Sequence, residues 1–299
     1  MIPVVLDFDA SVGPLPVEER IPLLDWQETV RFGCSLAQMN RLRRELDHRM
    51  PVPAAHGTVL VGSGDFHHLS WLLIERQMRR SSSPHPLRVV VFDNHPDNMR
   101  FPFGVHCGSW VRRVAALSGV DHVHVVGITS TDIGWAHSWE NQLSPLRAGK
   151  LSYWSVGVNT GWSRWLGLDA AFRGFDTLDA LLDALCQTLR TSRQPTYLSI
   201  DKDVFSTKMV HTNWDQGQLS EAQINDAIGA LRGQVVGSDI TGEFSAYRYR
   251  SAWKRWLSRI DAQPGEIEPG VLQVWRSKQH ALNRRLVKRI AAAAMCPAD

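Results

Sequence analysis

The sequence predicts a single α/β domain with three layers, in which helices cover both faces of a mostly parallel β-sheet. Short runs rich in valine, isoleucine and leucine alternate with longer amphipathic stretches, which is the pattern of β-α-β units. Several short runs are apolar at nearly every position, as in strands buried on both faces of a sheet. No linker interrupts residues 1–299, and this length is near the upper limit for one hydrophobic core.

The strand candidates are the short apolar runs. In chain order they are 3–8 (PVVLDF), 58–62 (TVLVG), 88–93 (RVVVFD), 122–127 (HVHVVG), 151–157 (LSYWSVG), 196–201 (TYLSID) and 234–240 (QVVGSDI). The helix candidates are the longer stretches around them: 18–31, 35–49, 68–80, 108–117, 177–193, 220–232 and 271–294. The helix at 220–232 has the clearest start, because Ser220 and Gln223 have the spacing of a capping box.

Composition excludes several classes of protein. The net charge is only +3, from 33 basic and 30 acidic residues, so no nucleic-acid partner is expected. No apolar run reaches the ~18 residues of a membrane-spanning helix, and the N-terminus lacks the basic start of a secretory signal. The four cysteines, Cys34, Cys107, Cys186 and Cys296, show no C-x-x-C pairing. We therefore expect a cytoplasmic protein without disulfides, a structural zinc site or a membrane partner.

Four predicted strands end in carboxylate or imidazole groups. In chain order, these strand ends carry Asp65, His67 and His68; Asp93, His95 and Asp97; Asp201 and Asp203; and Asp239 and Glu243. The carboxyl ends of parallel strands lie at one edge of a sheet, where ligands bind in α/β folds. The sequence therefore predicts that these groups lie together.

Four clustered aspartates, Asp93, Asp97, Asp201 and Asp203, would repel one another unless cations compensate them. Two divalent metal ions would balance their formal charge. Carboxylates with some imidazole and no thiolate suit Mn²⁺ best, with Fe, Co, Ni and Zn as alternatives. Two metal ions that share carboxylates can activate a water molecule.

These motifs resemble those of the ureohydrolase family, which includes arginase, agmatinase and formiminoglutamase. DNHPD at 93–97 matches the family's D-x-H-x-D motif, and SIDKD at 199–203 matches its D-x-D motif. GDFH at 64–67 matches G-G-D-H with one inserted residue, and Glu243 corresponds to a late glutamate, again with one extra residue. GVHCG at 104–108 resembles the segment that carries a histidine beside the metal ions.

The resemblance implies an arginase-like fold and a role for each matching residue. One metal ion would be bound by His67, Asp93, Asp97 and Asp201, and the other by Asp93, His95, Asp201 and Asp203. His106 would transfer protons, Asp203 would accept a proton from the attacking hydroxide, and Glu243 would bind a cationic guanidinium group. The implied reaction is the cleavage of a C–N bond in a guanidino or formimino compound by metal-activated hydroxide, which releases urea or a formamide. Family members are commonly oligomeric, so a homo-oligomer is expected.

Some assignments stay open at this point. The inserted Phe66 leaves His67 and His68 competing for one ligand position, with His67 favoured by register. Asp65 is interpreted as a turn residue, and Asp132 either caps a helix or contacts a substrate amine. Arg100 either binds a substrate carboxylate or is solvated. The tryptophans at 135, 139, 154, 162 and 165 are expected to pack in the core and loops, with a cation–π pocket for a guanidinium group as the alternative.

Two other functions remain as alternatives. The chain would be a metal-binding but catalytically silent protein with a regulatory or scaffold role if the insertions or the altered residues 204–206 inactivate the site. It would be a deacetylase if it held a single zinc ion, although Asp203 supplies a ligand that such a site does not need.

Overall fold

A computed structural model describes residues 1–80, 85–252, 254–255 and 267–294 of the chain. Cys296 and positions 253, 256 and 257 of the segment 246–257, which is rich in basic and aromatic residues, lie outside the described residues.

The central feature is a nine-stranded sheet in which every pair of neighbours is parallel. Its strands are β1 (Ile2–Asp7), β2 (Glu19–Pro22), β4 (His56–Leu60), β5 (Leu87–Phe92), β7 (Val120–Ile128), β8 (Leu151–Val156), β9 (Phe172–Phe175), β10 (Thr196–Asp201) and β11 (Val235–Thr241). The spatial order is β2-β1-β4-β11-β10-β5-β7-β8-β9. Two short strands, β3 (Gly33–Cys34) and β6 (Val105–His106), form a separate antiparallel pair.

Helices pack on both faces of the sheet, as predicted. They are α1 (Gln27–Val30), α2 (Leu36–Arg49), α3 (Ser70–Arg80), α4 (Val111–Ala115), α5 (Leu143–Arg147), α6 (Leu178–Thr191), α7 (Glu221–Ala230) and α8 (Pro269–Ala291). One core lies between the sheet and α2, α3 and α4, and a second lies between the opposite face and α6, α7 and α8. In β5, Val89 and Val91 belong to the first core, whereas Val90 and Phe92 belong to the second. Alternate residues of a strand thus fill both cores, which explains the nearly continuous apolar runs.

The predicted helix at 18–31 is wrong over most of its length. Residues Glu19–Pro22 form the edge strand β2, and only Gln27–Val30 form a single α-helical turn. Pro22 lacks a backbone N–H, which disfavours the interior of a helix but is tolerated at the edge of a sheet. Ile21 is buried against the first core, so tertiary packing selects the strand.

Among the described residues, no helix combines the length and the apolar character needed to span a bilayer.

The sheet order places side by side the four strands whose carboxyl ends carry the predicted site residues. β4, β11, β10 and β5 are consecutive neighbours. Their carboxyl ends therefore deliver the predicted site residues to one short stretch of the sheet edge.

Candidate metal centre

Two histidines at this edge each face a group of carboxylates. His67 Nδ1 lies 3.1 Å from Asp93 Oδ2, 3.0 Å from Asp97 Oδ2 and 3.5 Å from Asp201 Oδ2. His95 Nδ1 lies 3.0 Å from Asp203 Oδ2 and 3.5 Å from Asp93 Oδ1. Asp93 belongs to both groups, since each of its oxygens faces a different histidine.

Tight turns hold these carboxylates in place. Asp93 Oδ1 accepts a hydrogen bond from the backbone N–H of His95, and Asp201 Oδ1 accepts one from the N–H of Asp203. The N–H of Asn94 donates to Asp203 Oδ1, which links the two turns. Asp97 lies at a φ of +47°, a left-handed conformation that aspartate tolerates better than most residues. The D-x-H-x-D and D-x-D motifs therefore form turns at the carboxyl ends of β5 and β10.

The far side of each histidine ring also has a partner. His67 Nε2 donates to Ser199 Oγ at 2.9 Å, and Ser199 in turn donates to the buried Asp239 at 2.7 Å. His95 Nε2 lies 2.7 Å from Asp215 Oδ1. Neither Ser199 nor Asp215 was predicted as a site residue. The position of Ser199 could have been inferred from the sequence, because it lies two positions before Asp201 on the same strand. Asp215 lies in a loop, and no sequence pattern indicates its contact with His95.

The electrostatics of the cluster reflect its excess of carboxylates. Burial and the charge of Asp93 raise the pKa of Asp97 to about 7. Burial together with the charges of Asp201 and Asp93 raises the pKa of Asp203 well above its usual range. Burial disfavours the charged form of His67 and His95, but their carboxylate neighbours outweigh it and raise both pKa values well above the ordinary value. Without metal ions, the cluster thus retains protons to limit repulsion.

The donor set fits two divalent cations. Ligand atoms of His67, Asp93 and Asp201 lie within 4.8 Å of one another, and so do those of Asp93, His95 and Asp203. Asp97 contacts His67 and completes the first group. The oxygen-rich donor set with one imidazole per group suits Mn²⁺ and related ions. His68 belongs to neither group, so the geometry favours His67 as the ligand.

His106 lines the cavity above this cluster. Its Nδ1 accepts a hydrogen bond from the N–H of Gly108, and its ring packs edge-on against Phe101. Burial lowers its pKa to about 4. The imidazole is therefore neutral near pH 7, with its proton on Nε2.

The structure does not bring Glu243 to the cavity, in contrast to the role that the resemblance implied. Its carboxylate binds the ammonium group of Lys202 and the side-chain amide of Asn283, and the group is buried. The register explains this difference. Gly242 occupies the preceding position at a φ of +87°, and a Cβ there would lie 2.5 Å from Asp201 Oδ1. The residue beside Asp201 is therefore glycine, and Glu243 points toward α8.

Two other open assignments are also resolved. Asp65 is a buried structural group: Oδ2 binds Arg31, and Oδ1 accepts a hydrogen bond from Trp214. Asp132 does not cap its helical turn, because Ser130 accepts the hydrogen bond from the N–H of Asp132. The side chain of Asp132 lines the cavity instead.

The cavity has a volume of about 800 Å³, with the six metal-ligand candidates at its base. Its wall includes the charged side chains of Asp132, Glu140, Asp215 and Arg100. The tryptophans of the central segment separate into two groups. Trp154 and Trp162 are buried as predicted, whereas Trp135, Trp139 and Trp165 are exposed, and the rings of Trp135 and Trp165 contact each other edge to face.

Comparison with known proteins identifies structures with a similar fold. No sequence model of a protein family matches the chain. A protein of Thermotoga maritima described only as uncharacterized is 29% identical over 196 residues, which cover 64% of this chain and 60% of that protein. The match thus spans less than two thirds of the relative's length.

Solved structures give a more informative match. Proclavaminate amidino hydrolase from Streptomyces clavuligerus is 17% identical, with 86% of this chain and 71% of that chain covered and a TM-score of 0.50. Agmatine ureohydrolase of Thermoplasma volcanium is 16% identical over 85% of this chain and 67% of that one, with a TM-score of 0.52. Arginase from Medicago truncatula is 16% identical over 85% and 65%, with a TM-score of 0.50. The chain therefore has the fold of the ureohydrolase family, as its motifs predicted.

Proposed function

We propose that this protein is a hydrolase that binds two divalent metal ions, with Mn²⁺ preferred, and cleaves a C–N bond of a guanidino or formimino compound. The products are an amine together with urea or a formamide. The observation that carries the proposal is the pair of histidine–carboxylate groups that share Asp93 at the base of the cavity. The ureohydrolase-type fold and the matching motifs support it.

The proposed ligand sets start from the two groups and add, as the resemblance implies, Asp97 to the first and Asp201 to the second. His67, Asp93, Asp97 and Asp201 would hold one ion, and Asp93, His95, Asp201 and Asp203 the other. When bound, such a pair lowers the pKa of water and stabilises the negative charge that develops on the reacting group.

The chain's own side chains supply the proton transfers. Asp203 lies at the base of the cavity, where it accepts a proton as the water oxygen bonds to the planar carbon of the substrate. His106 is neutral near pH 7 and lines the same cavity, so its imidazole can accept a proton and deliver it to the departing nitrogen as the C–N bond breaks. Phe101 packs against the ring of His106 and limits its movement.

The cavity wall favours a cationic substrate. The wall carries the carboxylates of Asp132, Glu140 and Asp215 together with the guanidinium group of Arg100, and two bound metal ions would neutralise the carboxylates at the base. Because Glu243 is bound to Lys202 and Asn283, we assign recognition of the amidinium charge to the acidic wall. A volume of about 800 Å³ is typical of small-molecule sites.

The test is a substrate panel with the Mn²⁺-loaded protein. Arginine, agmatine, guanidinobutyrate, guanidinopropionate, guanidinoacetate and formiminoglutamate are assayed for release of urea, formamide or ammonia. We expect turnover of at least one compound. Asp203→Ala should abolish this turnover, whereas Asp169→Ala should retain it, because Asp169 is an exposed aspartate that is not among the residues lining the cavity. Turnover that survives Asp203→Ala would contradict the proposal.

One observation favours the alternative, a metal-binding protein without activity. The ion pair of Glu243 with Lys202 removes from the cavity the carboxylate that the family motif would supply. Two bound ions with no turnover across the panel would favour this alternative, and one tightly bound zinc ion would favour the deacetylase.

A further inference from the structure

The segment between β10 and α7 closes one side of the cavity. It is anchored at several points: the N–H of Gly217 donates to the carbonyl oxygen of Asp203 at 2.6 Å, and Asn213 Nδ2 donates to the carbonyl oxygen of Ser245 at 2.7 Å. Trp214 Nε1 donates to the buried carboxylate of Asp65 at 3.1 Å. The segment therefore has a fixed position relative to the cluster.

Asp215 lies on this anchored segment and faces the ring of His95. Its Oδ1 is 2.7 Å from His95 Nε2, and its Oδ2 accepts a hydrogen bond from Asn94 Nδ2 at 3.1 Å. Asn94 Oδ1 in turn accepts hydrogen bonds from the backbone N–H and the hydroxyl of Thr129. Both oxygens of Asp215 thus have defined partners, and the amide that holds one of them is itself oriented.

The chemistry of imidazole gives this contact a consequence. His95 Nδ1 points at Asp203 and Asp93, so its lone pair is available to a cation only when the proton is on Nε2. A carboxylate that accepts the Nε2 proton fixes this tautomer, holds the ring plane and makes the other nitrogen a stronger ligand.

We propose that Asp215 is a positioning residue that fixes His95 and thereby sets the affinity of the second metal position, formed by Asp93, His95, Asp201 and Asp203. The inference rests on the two-metal centre of the proposed function. It adds an asymmetry between the two positions.

The asymmetry arises from the different supports of the two histidines. His67 is backed by Ser199, a fully buried hydroxyl within β10, and behind it by the buried Asp239. His95 is backed by an aspartate on a loop, with 68% of its side chain exposed. Water competes for the Asp215 contact but not for the Ser199 contact. The His67 position therefore fills first, and the His95 position is the weaker and more exchangeable one.

The test compares Mn²⁺ binding to metal-free wild type, Asp215→Asn and Ser199→Ala. Binding is measured by electron paramagnetic resonance, in which free Mn²⁺ and spin-coupled ion pairs give different signals. We expect Asp215→Asn to bind one ion with unchanged affinity and the second 10–100-fold more weakly, an effect on the order of that for other residues that orient metal ligands. Ser199→Ala should instead weaken the first ion. Asp132→Asn is the matched control, because it removes a carboxylate from the same cavity wall that is not a hydrogen-bond partner of His95.

The outcomes separate the inference from the proposed function. Two ions bound equally tightly by wild type and Asp215→Asn would overturn the role of Asp215 and leave the hydrolase proposal intact. An equal loss in Asp132→Asn would overturn it as well, because a general charge effect would then explain the result. Fewer than two ions in the wild type would overturn the metal centre itself. Asp215→Glu keeps the carboxylate and should restore part of the affinity, whereas a merely structural role of the loop gives no such rescue.

Discussion

Lys202 and Glu243 form a buried ion pair beside the candidate metal centre. The Lys202 side chain is 0% and that of Glu243 3% exposed, and Asn283 of α8 binds both groups. A buried charge that loses its partner is far more costly than a buried pair is stabilising.

We therefore expect Glu243→Gln to destabilise the protein by about 3–5 kcal/mol, measured as the free energy of unfolding in urea. The double variant Lys202→Met with Glu243→Gln should be more stable than the single variant, because it removes the unpaired ammonium group. If Glu243 instead bound substrate, Glu243→Gln would raise KM and leave stability nearly unchanged.

His106 provides a second prediction at the scale of one residue, because its pKa of about 4 is below the ordinary value for histidine. Folding must then release a proton from His106 between pH ~6.5 and ~4. Its contribution to stability is complete above pH ~6.5 and is lost as the pH falls toward 4.

The comparison of wild type with His106→Asn isolates this group from the other histidines. As the pH rises from 4 to 6.5, wild type should gain about 2.6 kcal/mol relative to the variant, as measured by urea unfolding. A difference that is independent of pH would show that the folded state does not depress this pKa.

At the scale of single residues, the clustering of these carboxylates and histidines was predictable from the sequence, whereas most of their surroundings were not. DNHPD and SIDKD are local motifs, so the spacing of Asp93, His95, Asp97, Asp201 and Asp203 is visible without a structure. The orientation of Glu243 was not predictable, because it depends on one extra residue and on a lysine and a helix distant in sequence. Asp215 reaches His95 across 120 positions of the chain, and no local pattern encodes such a contact.

Among the elements, α7 begins where the sequence predicted. Ser220 Oγ accepts a hydrogen bond from the N–H of Gln223, and the Gln223 side chain accepts one from the N–H of Ser220. Since α7 packs in the second core, the loss of this capping box affects the whole domain.

Ser220→Ala should lower the free energy of unfolding by about 1 kcal/mol, measured by urea denaturation. Ser192→Ala is the control, because Ser192 is exposed at the end of α6, its hydroxyl is 3.5 Å from Gln194 Oε1, and its backbone hydrogen bonds are kept in the alanine variant. Its effect should stay within about 0.5 kcal/mol. Equal effects of the two substitutions would contradict the role of the cap.

Strands buried on both faces were the most predictable elements, and short edge elements the least. β5 and β10 are almost entirely apolar or buried, so their sequences carry a strong signal. β9 was missed because it has only four residues, two of which are exposed. β2 was predicted to be part of a helix, because its four residues form a strand only through pairing with β1, and this pairing is a tertiary contact that local sequence does not show.

For the whole molecule, the strand order of the sheet explains why the carboxylates lie together and why their repulsion lowers the stability of the folded state. Four neighbouring strands end in carboxylates and imidazoles, and their convergence in a buried site opposes folding unless protons or cations neutralise them. Metal ions that bind only the folded state stabilise it by mass action, by about 2.7 kcal/mol for each ion present at 100 times its Kd. The melting temperature should therefore rise with Mn²⁺ concentration and fall on chelation.

This stabilisation should increase with pH. In the metal-free protein the pKa of Asp97 is about 7, and the pKa values of Asp203 and both ligand histidines are raised. Metal ions must displace these protons, so a lower pH weakens their binding. Between pH 5.5 and 7.5, the rise in melting temperature at a fixed Mn²⁺ concentration should grow several-fold.

The double variant His67→Ala with Asp203→Ala should show little Mn²⁺-dependent rise in melting temperature at any pH, because each metal position has lost a ligand. A rise that is the same at both pH values would mean that the cluster binds metal without releasing protons. That result would contradict the raised pKa values. It would also contradict the inference that bound protons limit the repulsion among these carboxylates until metal ions replace them.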